Sequence, residues 1–154
     1  MKIEEKIARF LIQKKKTLSV AESCTGGLVS HRLTNITGSS QFLKAAIVVY
    51  SNESKIKFLK VSFQTLKKYG AVSQQTALQM VKGIRKSLKT DYAVAITGIA
   101  GPSGGTKAKP VGLVFIAASS AKKTVVMKKT FQGNRLRIKS SAASAALHLL
   151  SKLF

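Results

Sequence analysis

Two stretches of the chain are apolar almost without interruption: AAIVVY at residues 45–50 and YAVAIT at residues 92–97. Runs of this length are typical of strands that are covered on both faces of a sheet. Shorter or partly alternating runs predict three more strands. The five predicted strands are residues 17–20, 45–50, 92–97, 111–118 and 124–131.

Between these strands, apolar residues recur at helical spacing, as in the segment that carries Leu78, Val81 and Ile84, which Ser73 is placed to cap. Strands that alternate with helices predict one α/β domain over residues 1–154. We expect a three-layer α/β/α domain with a mixed, mostly parallel central sheet. A C-terminal β-hairpin, turning at SSAKK, and a last helix complete it. The predicted helices are residues 2–15, 26–35, 52–59, 63–69, 74–89 and 134–153.

Composition fits this prediction and narrows the chemistry. The chain has 154 residues, of which 45% are hydrophobic, enough for a real core. It has no apolar run long enough to cross a membrane, and its first helix does not resemble a signal peptide, so we expect a cytoplasmic protein. One cysteine and two histidines form no ligand pattern. We therefore expect no metal and no cofactor.

The charge is strongly unbalanced, with 27 basic residues against five acidic ones and a formal net charge of +22. Such a charge attracts phosphates and, where it is concentrated, nucleic acid. The lysines are spread along the whole chain without interleaved aromatic residues. We therefore expect a solvated basic surface that binds nucleic acid weakly and non-specifically at most.

The first loop with candidate chemistry is ESCTGG, between a short strand and a helix. Ser23 and the backbone N–H groups of Thr25, Gly26 and Gly27 are predicted at the helix N-terminus. Unpaired N–H groups there favour an anion or a developing oxyanion. An ordinary strand–helix turn is the alternative. Cys24 has no evident base, which favours a wall or core position for it over a reactive one.

The second loop follows the strand AAIVVY and reads YSNESK. Asn52 is predicted to cap the next helix, which puts Lys55 in the first helical turn, the unfavourable end of the dipole for a cation. Burial would lower the pKa of this lysine further, and a neutral lysine is a general base. A solvated surface lysine is the alternative. Any serine partner must come from another loop, either Ser23 or Ser40.

The third loop is glycine-rich and follows the strand YAVAIT. It matches neither the Walker nor the dinucleotide-binding fingerprint, and a flexible loop without a ligand is the alternative reading. All three loops follow strands, and ligands of open α/β sheets bind at the carboxyl ends of strands. We therefore expect the loops to meet at one edge. The candidate ligand-binding residues of the third loop are Thr97, Gly98, Gly101, Gly104 and Gly105.

The segments AESCTGG, TGSS, VVYSNESK, GAVS and TGIAGPSGG, the last followed by KPVG, occur in this order. Together they resemble the CinA C-terminal family, which includes stand-alone nicotinamide mononucleotide deamidases. The family's N-terminal domain is not seen here, so the chain looks like the stand-alone form. The resemblance implies a hydrolase that converts nicotinamide mononucleotide to nicotinate mononucleotide and ammonia, without metal.

Carried onto this chain, the resemblance makes Ser23 the leading nucleophile, Lys55 its base and Tyr50 a residue that orients the pair or moves a proton. Ser40 stays a second candidate nucleophile. Arg135 resembles the arginine of the family's G-D-R segment and would hold the substrate phosphate. Asn134 replaces the usual aspartate and Lys139 a common second arginine, which puts phosphate affinity in doubt.

Three further points stay open. Glu22 and Glu53 could steady the lysine, balance the pyridinium charge or cap a helix, with Glu53 favoured as structural. A competence- or DNA-damage-linked protein that binds nucleotides or nucleic acid without turnover is the alternative function. The expected partners are the nucleotide substrate and a second copy of the chain in a homo-oligomer, with a dimer favoured.

Overall fold

A computed structural model of the chain describes all residues from Met1 to Phe154. Its five strands form one sheet: β1 (Leu18–Glu22), β2 (Leu43–Val48), β3 (Tyr92–Gly98), β4 (Leu113–Ser120) and β5 (Thr124–Thr130). The order across the sheet is β2-β1-β3-β4-β5. β1 runs parallel to β2 and β3, whereas β4 and β5 are antiparallel to their neighbours. The predicted mixed sheet and its closing hairpin are confirmed.

Six helices cover the sheet: α1 (Ile3–Gln13), α2 (Leu28–Thr34), α3 (Asn52–Leu59), α4 (Phe63–Tyr69), α5 (Gln74–Leu88) and α6 (Arg135–Ser151). Their apolar residues fall into two clusters, one with α1, α2 and α6 and the other with α3, α4 and α5. The central strands supply both clusters, Val94 and Ile96 to the first and Ala93 and Ala95 to the second. Residues 92–96 of β3 are all apolar, as expected for a strand whose two faces are both covered by helices.

All five strands differ by one or two residues from the predicted bounds, and two of these differences shape the edge where the loops meet. β1 continues to Glu22, which lies opposite Val48 of β2 and Ile96 of β3. β2 ends at Val48 because the carbonyls of Val49 and Tyr50 turn toward a lysine side chain. None of the helices combines the length and apolar character that crossing a membrane requires.

Candidate active site

A small pocket opens at the sheet edge where β1, β2 and β3 end, and the three glycine- and serine-containing loops meet there. Its volume is about 180 Å³. The loops after these strands, the loop before α5 and the beginnings of α3 and α6 form its wall. The lining residues are Ser23, Cys24, Tyr50, Lys55, Ala71, Val72, Thr97, Gly98, Ala100 and Arg135.

The serine and lysine that the sequence paired lie in contact at the base of this pocket. Nζ of Lys55 is 3.0 Å from Oγ of Ser23, at hydrogen-bonding distance. The lysine is 1% exposed and the serine 8% exposed. A hydroxyl held against an amine in this way is the arrangement that an amine base needs to activate a serine nucleophile.

Lys55 has no acidic partner, and its surroundings favour the neutral amine. Burial lowers the pKa of Lys55, and a negative charge on Cys24 would oppose that shift. Burial also raises the pKa of the Cys24 thiol to about 11, so this thiol stays protonated near neutral pH and supplies no such charge. The N–H groups on Nζ of Lys55 donate to the carbonyl oxygens of Val49, at 3.0 Å, and Tyr50, at 3.4 Å.

The start of α3 explains how Lys55 reaches the pocket. Ser51, not Asn52 as predicted, caps the helix, and its Oγ accepts from the backbone N–H of Ser54 at 3.1 Å. Asn52 is the exposed first helical residue and lies outside the pocket. The short serine side chain reaches the third N–H without straining the turn. Lys55 is therefore the fourth helical residue and points back toward the end of β1.

Glu22 occupies the N-terminus of α2, and this corrects the predicted oxyanion site. Its buried carboxylate accepts from the backbone N–H groups of Gly27, Val29 and Ser30 at 2.9–3.1 Å. The Thr25 hydroxyl also donates to it, at 2.6 Å. The Gly26 N–H donates to the carbonyl of Ser23. The N–H groups of Gly26 and Gly27 and the Thr25 hydroxyl are therefore already hydrogen-bonded. The anion at the N-terminus of α2 is the carboxylate of Glu22 and not a bound ligand.

Two N–H groups of the same loop stay free of this network. The backbone N–H groups of Cys24 and Thr25 donate to no acceptor on another residue. Cys24 directly follows Ser23 and lines the pocket. Of the predicted donors Thr25, Gly26 and Gly27, only the N–H of Thr25 stays uncommitted, and the uncommitted pair begins one residue earlier than predicted.

The third loop contributes only its beginning. Thr97 is buried at the end of β3, and its hydroxyl donates to the carbonyl of Ala71 at 2.8 Å. Gly98 lies against β4, where an added Cβ would be 2.8 Å from the carbonyl oxygen of Leu113, so a side chain has no room. Gly104 and Gly105 are exposed and lie outside the pocket.

Arg135 and Tyr50 form the mouth of the pocket. The Arg135 guanidinium donates to the carbonyl of Gly101 at 2.7 Å and to the Tyr50 hydroxyl at 3.0 Å. The Tyr50 phenol thus faces Arg135, while its backbone carbonyl contacts Lys55. Asn134 caps α6 by accepting from the Arg137 N–H, as an aspartate would. Lys139 lines a separate depression beside Gly26.

Ser40 does not belong to this site. It lies exposed in a short 3₁₀ turn, Ser39–Gln41, that precedes β2. The residues that precede a parallel strand lie at the opposite edge of the sheet from those that follow it, and Ser40 is absent from the pocket lining. The walls that sequence reasoning did not assign are Ala71, Val72 and Ala100. The GAVS segment gave a signal for Ala71 and Val72, and the TGIAGPSGG segment contains Ala100.

Glu53 is the other acid whose role the sequence left open. Glu53 is exposed in the first turn of α3, as expected for a structural residue. No three His, Cys, Asp or Glu side chains come close enough to hold a metal ion.

Comparisons with known proteins give the family. The CinA C-terminal domain family model matches residues 1–154. A CinA-like protein of Endomicrobium trichonymphae is 49% identical over 94% of this chain, which spans 34% of that protein. A putative competence-damage inducible protein of Alkaliphilus oremlandii is 48% identical over 97% of the chain, which spans 36% of it. The chain thus spans about a third of the length of these curated relatives.

Solved structures agree over almost the full chain. The competence/damage inducible protein CihA of Agrobacterium tumefaciens superposes with a TM-score of 0.96 at 38% identity, covering 98% of this chain and 93% of that one. A CinA superfamily protein of Escherichia coli gives a TM-score of 0.94 at 32% identity, covering 99% and 88%. With this fold and this match over its whole length, the chain belongs to the CinA C-terminal domain family.

Proposed function

We propose that this protein hydrolyses the carboxamide of nicotinamide mononucleotide, releasing nicotinate mononucleotide and ammonia and returning the pyridine nucleotide toward NAD. The observation that supports the proposal is the buried contact of 3.0 Å between Ser23 Oγ and Lys55 Nζ. Burial also lowers the pKa of this lysine. The proposed substrate follows from the family resemblance, and the proposed chemistry from this pair.

In the first step the neutral amine of Lys55 takes the hydroxyl proton of Ser23 as Oγ bonds to the carboxamide carbon. The C=O electron pair moves onto oxygen. The N–H of Cys24, the residue after the nucleophile, donates to no other residue and is the proposed donor to this oxyanion; one such donor contributes about 3 kcal/mol in transition states of this kind.

In the second step the C–N bond breaks, and the Lys55 ammonium gives its proton to the departing nitrogen, which leaves as ammonia. A water molecule then attacks the seryl ester while Lys55 again accepts a proton. The ester bond breaks, Ser23 recovers its proton, and nicotinate mononucleotide is released. Protons balance over the cycle with no group besides the serine, the lysine and water.

Pocket size and the position of Arg135 suit one end of such a nucleotide. At about 180 Å³ the pocket is smaller than those that usually enclose a whole ligand. It therefore suits the carboxamide and its ring, with the ribose phosphate extending across the mouth. Arg135 stands there, oriented by Gly101 and Tyr50, with N–H donors left over for a phosphate.

The test is ammonia release from nicotinamide mononucleotide by the wild type and three variants. Ser23→Ala and Lys55→Ala should each lose roughly 10³-fold or more in kcat. Ser40→Ala is the matched control and should keep full activity, because Ser40 lies at the opposite edge of the sheet. If the folded wild type releases no ammonia, the proposed hydrolase activity is wrong. If Ser23→Ala keeps its activity, only the assignment of Ser23 as the nucleophile is wrong.

A further inference from the structure

A basic groove lies at the edge of the sheet opposite the candidate active site. Its volume is about 740 Å³, and it runs between the second half of α5 and the turn that joins β4 to β5. Lys82, Lys86 and Lys89 face it from the helix, and Lys122 and Lys123 from the turn. All five lysines are exposed. Five of the 27 basic residues therefore line one concave surface as exposed lysines.

No carboxylate in the lining of the groove pairs with these five lysines. Asp91 is the only acid that lines it, and both of its oxygens are occupied. One accepts from Lys16 Nζ at 3.0 Å, and the other accepts from the backbone and side chain of Thr17 at 2.9 Å. Arg85 donates to the backbone carbonyl of Asp91. The five lysines make no ion pair within the chain, so they repel one another until an anion enters.

Part of this charge has a structural explanation, but not all of it. Cations in the last turn and at the C-cap of a helix complement the helix dipole, which accounts for Lys86 and Lys89 of α5. It does not account for Lys122 and Lys123, which belong to a β-turn, nor for Lys82 one turn earlier. Lys82, Lys86 and Lys89 lie at intervals of four and three residues and form one row about 10 Å long. The turn lysines face this row across the groove.

The shape and lining of the groove select the kind of anion. Ala121 is its only apolar lining residue, so it lacks the apolar centre of a protein interface and the apolar side chains that insert into a membrane. A concave channel lined by cations suits a flexible phosphodiester backbone. A second depression on the other side of the turn shares Lys122 and Lys123 and reaches the aromatic rings of Tyr92 and Phe154.

We propose that the basic groove binds single-stranded nucleic acid through its phosphates, without sequence preference and independently of the pocket around Ser23 and Lys55. A strand lying along the α5 row can continue past the turn lysines into the second depression. Tyr92 and Phe154 are half-buried there and already pack with Phe10, so the phosphate contacts of the lysines provide the binding. The two sites lie at opposite edges of the sheet, so occupation of one leaves the other open.

The test measures fluorescence anisotropy of a labelled oligothymidine of about 20 nucleotides, longer than the usual site of one small domain. The groove variant combines Lys82→Gln, Lys86→Gln, Lys122→Gln and Lys123→Gln. The control variant removes the same charge elsewhere, through Lys6→Gln, Lys44→Gln, Lys67→Gln and Lys128→Gln, all at exposed lysines outside the groove.

The groove variant should lose about tenfold or more in affinity at ~0.1 M salt, and its slope of log affinity against log salt should fall by about 2 to 3. The control should lose less than about threefold. Equal losses in the two variants, or no binding by the wild type at that salt, would overturn the proposal. So would groove-dependent binding to phosphatidylserine vesicles with none to the oligonucleotide.

Two further measurements control for misfolding of the fourfold variant and for an effect on the candidate active site. The double variant Lys122→Gln/Lys123→Gln changes only an exposed turn and should lose about threefold or more, even if the fourfold variant folds poorly. Ammonia release from nicotinamide mononucleotide should be unchanged in every groove variant. Loss of oligonucleotide binding with intact amidase activity supports two separate sites, and an inactive wild type that still binds leaves the groove proposal standing.

Discussion

Nζ of Lys55 lies 3.0 Å from Oγ of Ser23, although 32 residues separate them in the chain. The contact exists because β1 and β2 are parallel neighbours whose last residues, Glu22 and Val48, lie side by side. Ser23 follows the first strand, and α3 begins shortly after the second. The serine and the lysine thus meet at one sheet edge, where burial removes the lysine from water and favours its neutral form.

Activity should rise with pH over a range below the ordinary pKa of lysine. Because burial lowers the pKa of Lys55, its active neutral form accumulates at lower pH than that of a free lysine, whose value is 10.5. The measurement is kcat/KM for nicotinamide mononucleotide from about pH 6 to pH 10. Lys55→Arg stays protonated and should lose roughly 10³-fold at every pH. A rising limb at the ordinary lysine value would contradict the assignment.

The same residue should make stability depend on pH. In the range between the lowered pKa of folded Lys55 and the unfolded value of 10.5, the unfolded chain binds more protons, so stability rises with pH. The wild type should therefore gain stability relative to Lys55→Met as pH rises through that range. Tm values of both proteins at several pH values test this. If the Tm difference between the two proteins stays constant or shrinks as pH rises, the pKa of Lys55 is not lowered in the folded protein.

Cys24 should be dispensable and slow to react. Burial raises the pKa of its thiol to about 11, so almost no thiolate is present at about pH 8. Cys24→Ala should keep ammonia release within about threefold, the small loss reflecting its position on the pocket wall. Wild type treated with iodoacetamide should remain active. Rapid, stoichiometric inactivation that Cys24→Ala abolishes would assign the thiol a role in the reaction.

Glu22 should carry stability and not proton transfer. Replacing its carboxylate in Glu22→Gln turns an amide toward the N–H groups of Gly27, Val29 and Ser30 and leaves buried donors unpaired. We expect a loss of about 3 kcal/mol in the free energy of unfolding, measured by urea denaturation. Glu53→Gln, at an exposed acid, is the matched control and should change it by less than about 0.5 kcal/mol. Equal effects would contradict the capping role.

Arg135 should act on substrate binding through the phosphate. Arg135→Lys keeps the charge but loses the planar fork that Gly101 and Tyr50 orient, so KM for nicotinamide mononucleotide should rise about tenfold with little change in kcat. Nicotinamide riboside lacks the phosphate and should be turned over equally by variant and wild type. Arg137→Lys, two residues further along α6, serves as control. The same loss with both substrates would refute phosphate recognition.

The sequence by itself determined the architecture, because the signals for it are local. Continuous apolar runs located β2 and β3, and Ser73 marked the start of α5. Of these two strands only β3 is covered on both faces, however, because β2 is an edge strand in which every second residue is exposed. The order of strands and helices then implied that the loops carrying Ser23, Tyr50 and Thr97 would meet at one edge. The sequence predicted a lowered pKa for Lys55 from its place in the first turn of a helix, whereas burial, which lowers the pKa in the structure, was left open.

Only the tertiary structure decided which side chains and donors are free. Glu22 and the N–H groups of α2 look available in the sequence, but the carboxylate folds back and engages them. The sequence does not distinguish Ser40 from Ser23 as a nucleophile. The two serines lie at opposite edges of the sheet because Ser40 precedes β2 and Ser23 follows β1. Lysines spread along the chain become a groove only when α5 and the β4–β5 turn are brought together. Local pattern fixes neither distance nor partner, because both depend on contacts between segments far apart in the chain.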